Sequence, residues 1–131
     1  MSVPAITLDA GELIALDRNE RAAWARLKAA VSGGVRPVLP APVLTQVWRS
    51  GRQANLGRAL GHLRVEATDE GLAREAGRLC ALAGTDDAVD AIVVASAARR
   101  RGVVITSDPT DIGRLAAHVS DVRLVISGTS A

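Results

Sequence analysis

The run Val103-Val104-Ile105-Thr106-Ser107-Asp108-Pro109 decides the fold. Its first four residues are β-branched with no polar alternation, the pattern of a strand buried on both faces. Asp108-Pro109 then supplies a helix start, and that helix is expected to run to about Val119. Upstream, Asp86 to Arg101 reads as a helix with Val89, Ile92, Val93 and Ala97 on its apolar face, ended by Gly102. A helix, a buried strand and a second helix in succession form the repeating unit of a parallel sheet.

The same alternation continues outward. Thr68 is the expected N-cap of a helix to about Ala83, and Arg64 to Ala67 reads as a short strand. Gln53 to Leu63 and Ala41 to Ser50 read as helices separated at Gly51, with Pro42 tolerated in a first turn. Arg36 to Pro40 reads as a strand. Asn19 is the expected N-cap of a helix over Glu20 to Ser32, which Gly33-Gly34 ends. Leu13 to Leu16 suggest a short helix, and Val3 to Leu8 a buried strand ending at Asp9. On the other side, Asp121 to Ile126 reads as a last strand and Ser127 to Ala131 as a tail. Strands alternating with helices predict an α/β protein. The expected form is a three-layer α/β/α sandwich on a central parallel sheet of four to five strands, in a single domain over 1–131.

Composition narrows the function classes. There are two Trp and no Phe or Tyr, so the core must be built from Val, Leu, Ile and Ala. That also argues against nucleic-acid binding by aromatic stacking platforms. The pI is about 9.5 and Lys28 is the sole lysine. The arginine excess suits an anionic partner, or reflects a genome biased toward Arg and Ala. Cys80 is the only cysteine, which excludes an intrachain disulfide and fits a reducing cytoplasm. No apolar run is long enough for a membrane helix, and no signal-peptide pattern opens the chain.

The acids are placed unevenly. In open parallel sheets, active sites lie at the carboxyl ends of strands. Asp9 closes the first expected strand, and Asp108 follows Val103 to Thr106 by two residues. Asp87 and Asp90 lie three apart at the start of one helix, and Asp111 lies three beyond Asp108. With Asp86 these make six of the fourteen acids. Clustered carboxylates are costly unless a cation neutralises them. Hard oxygen ligands select Mg²⁺ or Mn²⁺, and no Cys/His set has zinc spacing. Simpler readings stand beside this one: Asp86 as a helix N-cap, Asp87 as a surface acid favoured by the helix dipole, Asp111 as a solvated first-turn acid.

Three stretches, Ile6-Thr7-Leu8-Asp9-Ala10-Gly11, Asp87 to Ala97, and Val104 to Ile112, together resemble the PIN domain. More narrowly they resemble the VapC-type toxins of bacterial toxin–antitoxin pairs, over essentially the whole chain. The resemblance implies Mg²⁺- or Mn²⁺-dependent endoribonuclease activity. It implies that Asp9, Asp90 and Asp108 are catalytic metal ligands, with Asp87 and Asp111 as auxiliary acids and Thr106 as the supporting hydroxyl residue. It further implies RNA as substrate, a separately encoded antitoxin and a homodimer. One departure stands out: Gln46 occupies the position of the family's second acid, a Glu, so charge is missing there. Asp87 or Asp111 is expected to replace part of it. A catalytically weak or inactive module that binds RNA or an antitoxin is the alternative that Gln46 raises.

Other residues carry secondary expectations. Arg49 and Arg52, read as three apart on one helical face, are candidates for binding the RNA backbone or a partner. Arg99-Arg100-Arg101 complements a helix C-terminus or touches RNA. Trp24 and Trp48 belong either to the core or to interfaces. A metal-independent ribonuclease would need His62 or His118 as acid and base, and both read as exposed helix residues. A phosphoacceptor signalling domain would need paired acids at the first strand and a late lysine, which this chain lacks.

Overall fold

The structure, a computed structural model, describes residues 4–127. Five strands form one sheet: β1 (Ile6–Leu8), β2 (Val38–Pro40), β3 (Arg64–Glu66), β4 (Val103–Thr106) and β5 (Arg123–Ile126). Their order is β3-β2-β1-β4-β5, and every pairing is parallel. Seven helices connect them among the described residues: α1 (Ala10–Asp17), α2 (Arg21–Ser32), α3 (Ala41–Val47), α4 (Ala54–Leu60), α5 (Glu70–Ala83), α6 (Ala88–Arg100) and α7 (Pro109–Ala116).

The strand order explains the layers. From β1 the chain steps outward to β2 and β3, then crosses back to β4 and on to β5. Right-handed crossovers running in opposite directions lie on opposite faces of a sheet. Accordingly α1 contacts α2, α3 and α4, while α5, α6 and α7 contact one another. The expected α/β/α sandwich is observed, with five strands. Its switch point, where the chain direction across the sheet reverses, lies between β1 and β4.

The core is aliphatic, as the composition required. Leu13, Leu16, Leu39, Leu56, Leu63, Leu72, Leu79, Ile112 and Leu115 are among its fully buried side chains. The central helix α6 buries Ala91, Val93, Val94, Ala95 and Ala97, whose small size lets sheet and helices approach it closely. Gly102 serves the same end at the strand bottoms: a Cβ there would strike the Ala5 carbonyl, which accepts from Val103 N at 2.8 Å. Trp24 is half-buried against the core, its Nε1–H donating to Leu16 O at 3.1 Å and the Arg58 guanidinium 4.8 Å from its ring centre. Trp48 is exposed.

Several expected boundaries shift for identifiable reasons. The cap of α5 is Asp69, one residue after Thr68, because its Oδ1 reaches Leu72 N at 2.8 Å. The cap of α6 is likewise Asp87 and not Asp86, accepting from Asp90 N at 3.2 Å. Asn19 does not cap α2. It adopts a left-handed φ of 59° just after α1, a conformation asparagine tolerates, and Glu20 precedes α2. The helix expected to Ser50 ends at Val47, where the Gln53 side chain organises the turn. Gln53 Oε1 accepts from Arg49 N and Ser50 N, and Nε2 donates to Val47 O. Of the strand read from Val3 and the tail read to Ala131, Val3 and residues 128–131 lie outside the described residues. No helix among the described residues is long and apolar enough to cross a membrane.

Two ionic groups pin the helices, one on each face of the sheet. Glu12 of α1 is 2 % exposed and takes a two-point contact from Arg26 of α2, Nε at 2.7 Å and Nη2 at 2.8 Å. Across the sheet, Glu66 accepts from Ser96 Oγ at 2.5 Å and from Arg100 Nη1 at 2.6 Å, and Arg100 also donates to Thr7 Oγ1. The arginine triplet is thus not one surface patch. Arg100 is half-buried against Glu66, Arg99 pairs with Asp69, and Arg101 lies 3.8 Å from Asp121.

Candidate metal centre

Asp9 and Asp108 emerge at the carboxyl ends of β1 and β4, the two strands that flank the switch point. Asp9 is 5 % exposed and caps α1, its Oδ1 accepting from Ala10 N at 2.7 Å. Its Oδ2 accepts from the buried Thr106 Oγ1 at 2.8 Å. Thr106 Oγ1 in turn accepts from Asp108 N at 2.9 Å. One hydroxyl therefore ties both strand-end acids together.

Asp108 caps α7 through Asp111 N, as Asp87 caps α6 through Asp90 N. Helices α1, α6 and α7 thus begin beside one another, each capped by an aspartate. Their N–H groups and dipoles lower the cost of concentrating negative charge there. Asp90 and Asp111 occupy the first turns of α6 and α7. Asp87, Asp90 and Asp111 offer carboxylate oxygens that all lie within 4.8 Å of one another, and they are the one such group among the described residues. The acids read as auxiliary, Asp87 and Asp111, thus complete this group with Asp90, and Asp9 and Asp108 are not members of it. Asp9 and Asp108 flank the group closely enough for their charges to act on Asp90.

The electrostatics show what this proximity costs. Burial, a hydrogen bond with Asp87 and the charges of Asp9, Asp87 and Asp108 push the Asp90 carboxyl up to about 8. Burial also raises Asp9, against the lowering effect of Thr106 and Ala10, and the charges of Asp108 and Asp87 add to it. The neighbouring charge of Asp108 raises Asp111. A folded state that holds protons more tightly than the unfolded chain loses stability as pH rises. For Asp90 that loss runs from the ordinary aspartate range to about pH 8. In EDTA, thermal unfolding is therefore expected to fall by roughly 5 °C between pH 6 and pH 8.5, an amount reduced by partial solvent screening. Asp90→Asn should flatten that slope, and a pH-independent wild-type midpoint would contradict the charge crowding.

The donor set fits a hard divalent cation. The group is made of carboxylates alone. Cys80 lies near Asp87, Sγ to Asp87 O 3.9 Å, but burial and the charges of Asp87 and Asp86 raise its thiol and hold it protonated. The histidines stand elsewhere, His62 in a groove of about 660 Å³ beside Trp24 and His118 in a hollow with Arg101 and Asp121. Gln46 is exposed on α3 and shares a shallow hollow with Thr68 and Val89, the neighbour of Asp90. Arg49 and Arg52 do not share a helical face, because α3 ends before them. Arg49 folds back on the unpaired carbonyls of that helix end, Nη1 reaching Thr45 O at 3.2 Å and Trp48 O at 2.7 Å. Ser107, between Thr106 and Asp108, packs against Gly11 of α1, a contact that no local pattern in the sequence signals.

Helices on both faces of a five-stranded parallel sheet, with acids massed at its switch point, define an open α/β protein of PIN-like fold. Solved structures share that fold. A chain of VapBC2 from Rickettsia felis, bound to a DNA fragment from its promoter, superposes with a TM-score of 0.73 at 14 % identity, covering 95 % of this chain and 99 % of that one. A toxin–antitoxin complex from Klebsiella pneumoniae gives 0.70 at 20 % identity, covering 90 % and 95 %. FitAB bound to an IR36 DNA fragment gives 0.65 at 20 % identity, covering 92 % and 94 %. No protein-family model matches the chain, and no curated protein does. One of these neighbours is described as a toxin–antitoxin complex and another as VapBC2, and what they share with this chain is the fold.

Proposed function

We propose that this protein is the toxin of a type II toxin–antitoxin pair, an endoribonuclease that depends on Mg²⁺ or Mn²⁺. The convergence of Asp9, Asp87, Asp90, Asp108 and Asp111 at one switch point carries this reading, with the oxygens of Asp87, Asp90 and Asp111 within 4.8 Å of one another. Asp9, Asp90 and Asp108 would hold the cation, assisted by Asp87 and Asp111. When bound, the cation supplies the positive charge that makes water acidic and offsets the charge of a phosphodiester. The chain's own part is to hold the carboxylates still. Thr106 orients Asp9 and the backbone of Asp108, and the caps of α6 and α7 fix Asp87 and Asp108. Asp90 gives up its proton as the cation enters, so binding is expected to tighten with pH.

Purified protein incubated with mixed cellular RNA should cleave it with Mn²⁺ and not with EDTA. Asp9→Asn should be inactive. Cleavage that persists in EDTA or in that variant overturns the mechanism. The partners in this reading are RNA, a separate antitoxin and a second copy of the chain. Size-exclusion chromatography tests the last, and a monomer refutes it.

Gln46 favours one modification of this picture. A neutral amide there leaves the charge deficit to be made up by Asp87 and Asp111, which stand beside Asp90. Gln46→Glu is expected to tighten Mn²⁺ binding by about three- to tenfold and to raise the cleavage rate, by analogy with outer residues of metal sites. Unchanged affinity and rate would remove Gln46 from the account. The second reading, a weak or inactive module, is supported if wild type binds RNA without cutting it while Gln46→Glu cuts.

A further inference from the structure

We propose that Gly11 and Ser107 form a steric register between α1 and the β4–α7 turn, which sets where Asp108 stands relative to Asp9. The consequence for the cation rests on the reading of the site given above; the register itself does not. A Cβ built on Gly11 would overlap Ser107 Oγ and lie 2.7 Å from Ser107 Cβ. The Ser107 backbone N would be 3.5 Å away, an ordinary contact. Turning the serine side chain relieves only the first overlap. The second involves Cβ, which moves only with the backbone.

That backbone is held on both sides. Thr106 donates to Asp9 Oδ2, and Asp108 N donates back to Thr106 Oγ1. A side chain at position 11 that displaced Ser107 would therefore strain the Asp108–Thr106 bond and shift Asp108 from its place beside Asp9. Gly11 is the second residue of α1, in the first turn that Asp9 caps. The absence of a side chain there leaves the space that Ser107 fills. Gly11 is thus a positioning residue, and Ser107 is the part of the turn that it admits.

The test uses Gly11→Ala, Ser107→Gly and the double variant, each followed by thermal unfolding in EDTA and by Mn²⁺ titration calorimetry. Gly11→Ala is expected to lower the unfolding temperature and to weaken Mn²⁺ about tenfold, as outer-shell changes do. Ser107→Gly should bind within about threefold of wild type, and the double variant should recover to the same range. A Gly11→Ala protein that matches wild type in both measurements overturns the register, as does a double variant no better than Gly11→Ala. If Gly11→Ala does not fold, the double variant decides: folded and binding Mn²⁺ it supports the register, unfolded it overturns it. Should wild type take up no Mn²⁺ while Ser107→Gly still rescues the unfolding temperature, the register stands and the cation reading falls.

Discussion

Asp90→Asn is expected to lower Mn²⁺-dependent RNA cleavage by about a thousandfold or more, beyond the loss typical of outer residues of a metal site. Asp90 is the acid on which the others bear. It belongs to the group of oxygens within 4.8 Å, and the charges of Asp9, Asp87 and Asp108 all act on its carboxyl. Asparagine preserves its size and one oxygen but removes the charge that a cation would pair with. The same change should raise the unfolding temperature in EDTA at pH 8, because it relieves crowded like charges. Activity falling while metal-free stability rises separates loss of a ligand from loss of fold. Wild-type cleavage by Asp90→Asn, measured with Mn²⁺ on the same RNA, would remove Asp90 from the chemistry.

The second large effect lies beneath the site. Arg26→Ala is expected to destabilise the protein by roughly 3 kcal/mol, since it strands a buried carboxylate. Glu12 is 2 % exposed and receives both of its bonds from Arg26. Without them the carboxylate must stay unpaired or take a proton. In a chain of this size the loss corresponds to roughly 10 °C in unfolding temperature. Replacing both partners, as in Glu12→Leu with Arg26→Leu, should cost less than Arg26→Ala alone, because no charge is left behind. Calorimetry of the single and double variants checks this. A single variant as stable as wild type would mean that water solvates Glu12. Because Glu12 lies one turn beyond Asp9 on α1, Arg26→Ala should also weaken Mn²⁺ binding.

The arginines show where local reading loses its hold. Arg99, Arg100 and Arg101 are adjacent in the chain yet meet Asp69, Glu66 and Asp121 on different elements. Nothing within the triplet distinguishes the half-buried one, Arg100. The residues before Gly51 suit a helix, which predicts Arg49 and Arg52 on one face. The Gln53 side chain, reaching back to Arg49 N, Ser50 N and Val47 O, instead stabilises a turn there. The caps failed by one residue in the same way. Thr68 and Asp86 are acceptable caps by type, but Asp69 and Asp87 are the ones whose carboxylates meet the third N–H of the helix.

By itself the sequence determined the succession of strands and helices, the aliphatic core, and the position of Asp9 and Asp108 just past two strands. Those features follow from the periods of strand and helix and from residue type, which act over a few neighbours. Only the tertiary structure decided that Asp87, Asp90 and Asp111 share a space, that one threonine joins Asp9 to Asp108, and that Ser107 rests in the gap left by Gly11. The physical reason is the order β3-β2-β1-β4-β5: it sets β1 beside β4 although nearly a hundred residues part them, and contacts made across such a distance leave no periodic trace along the chain.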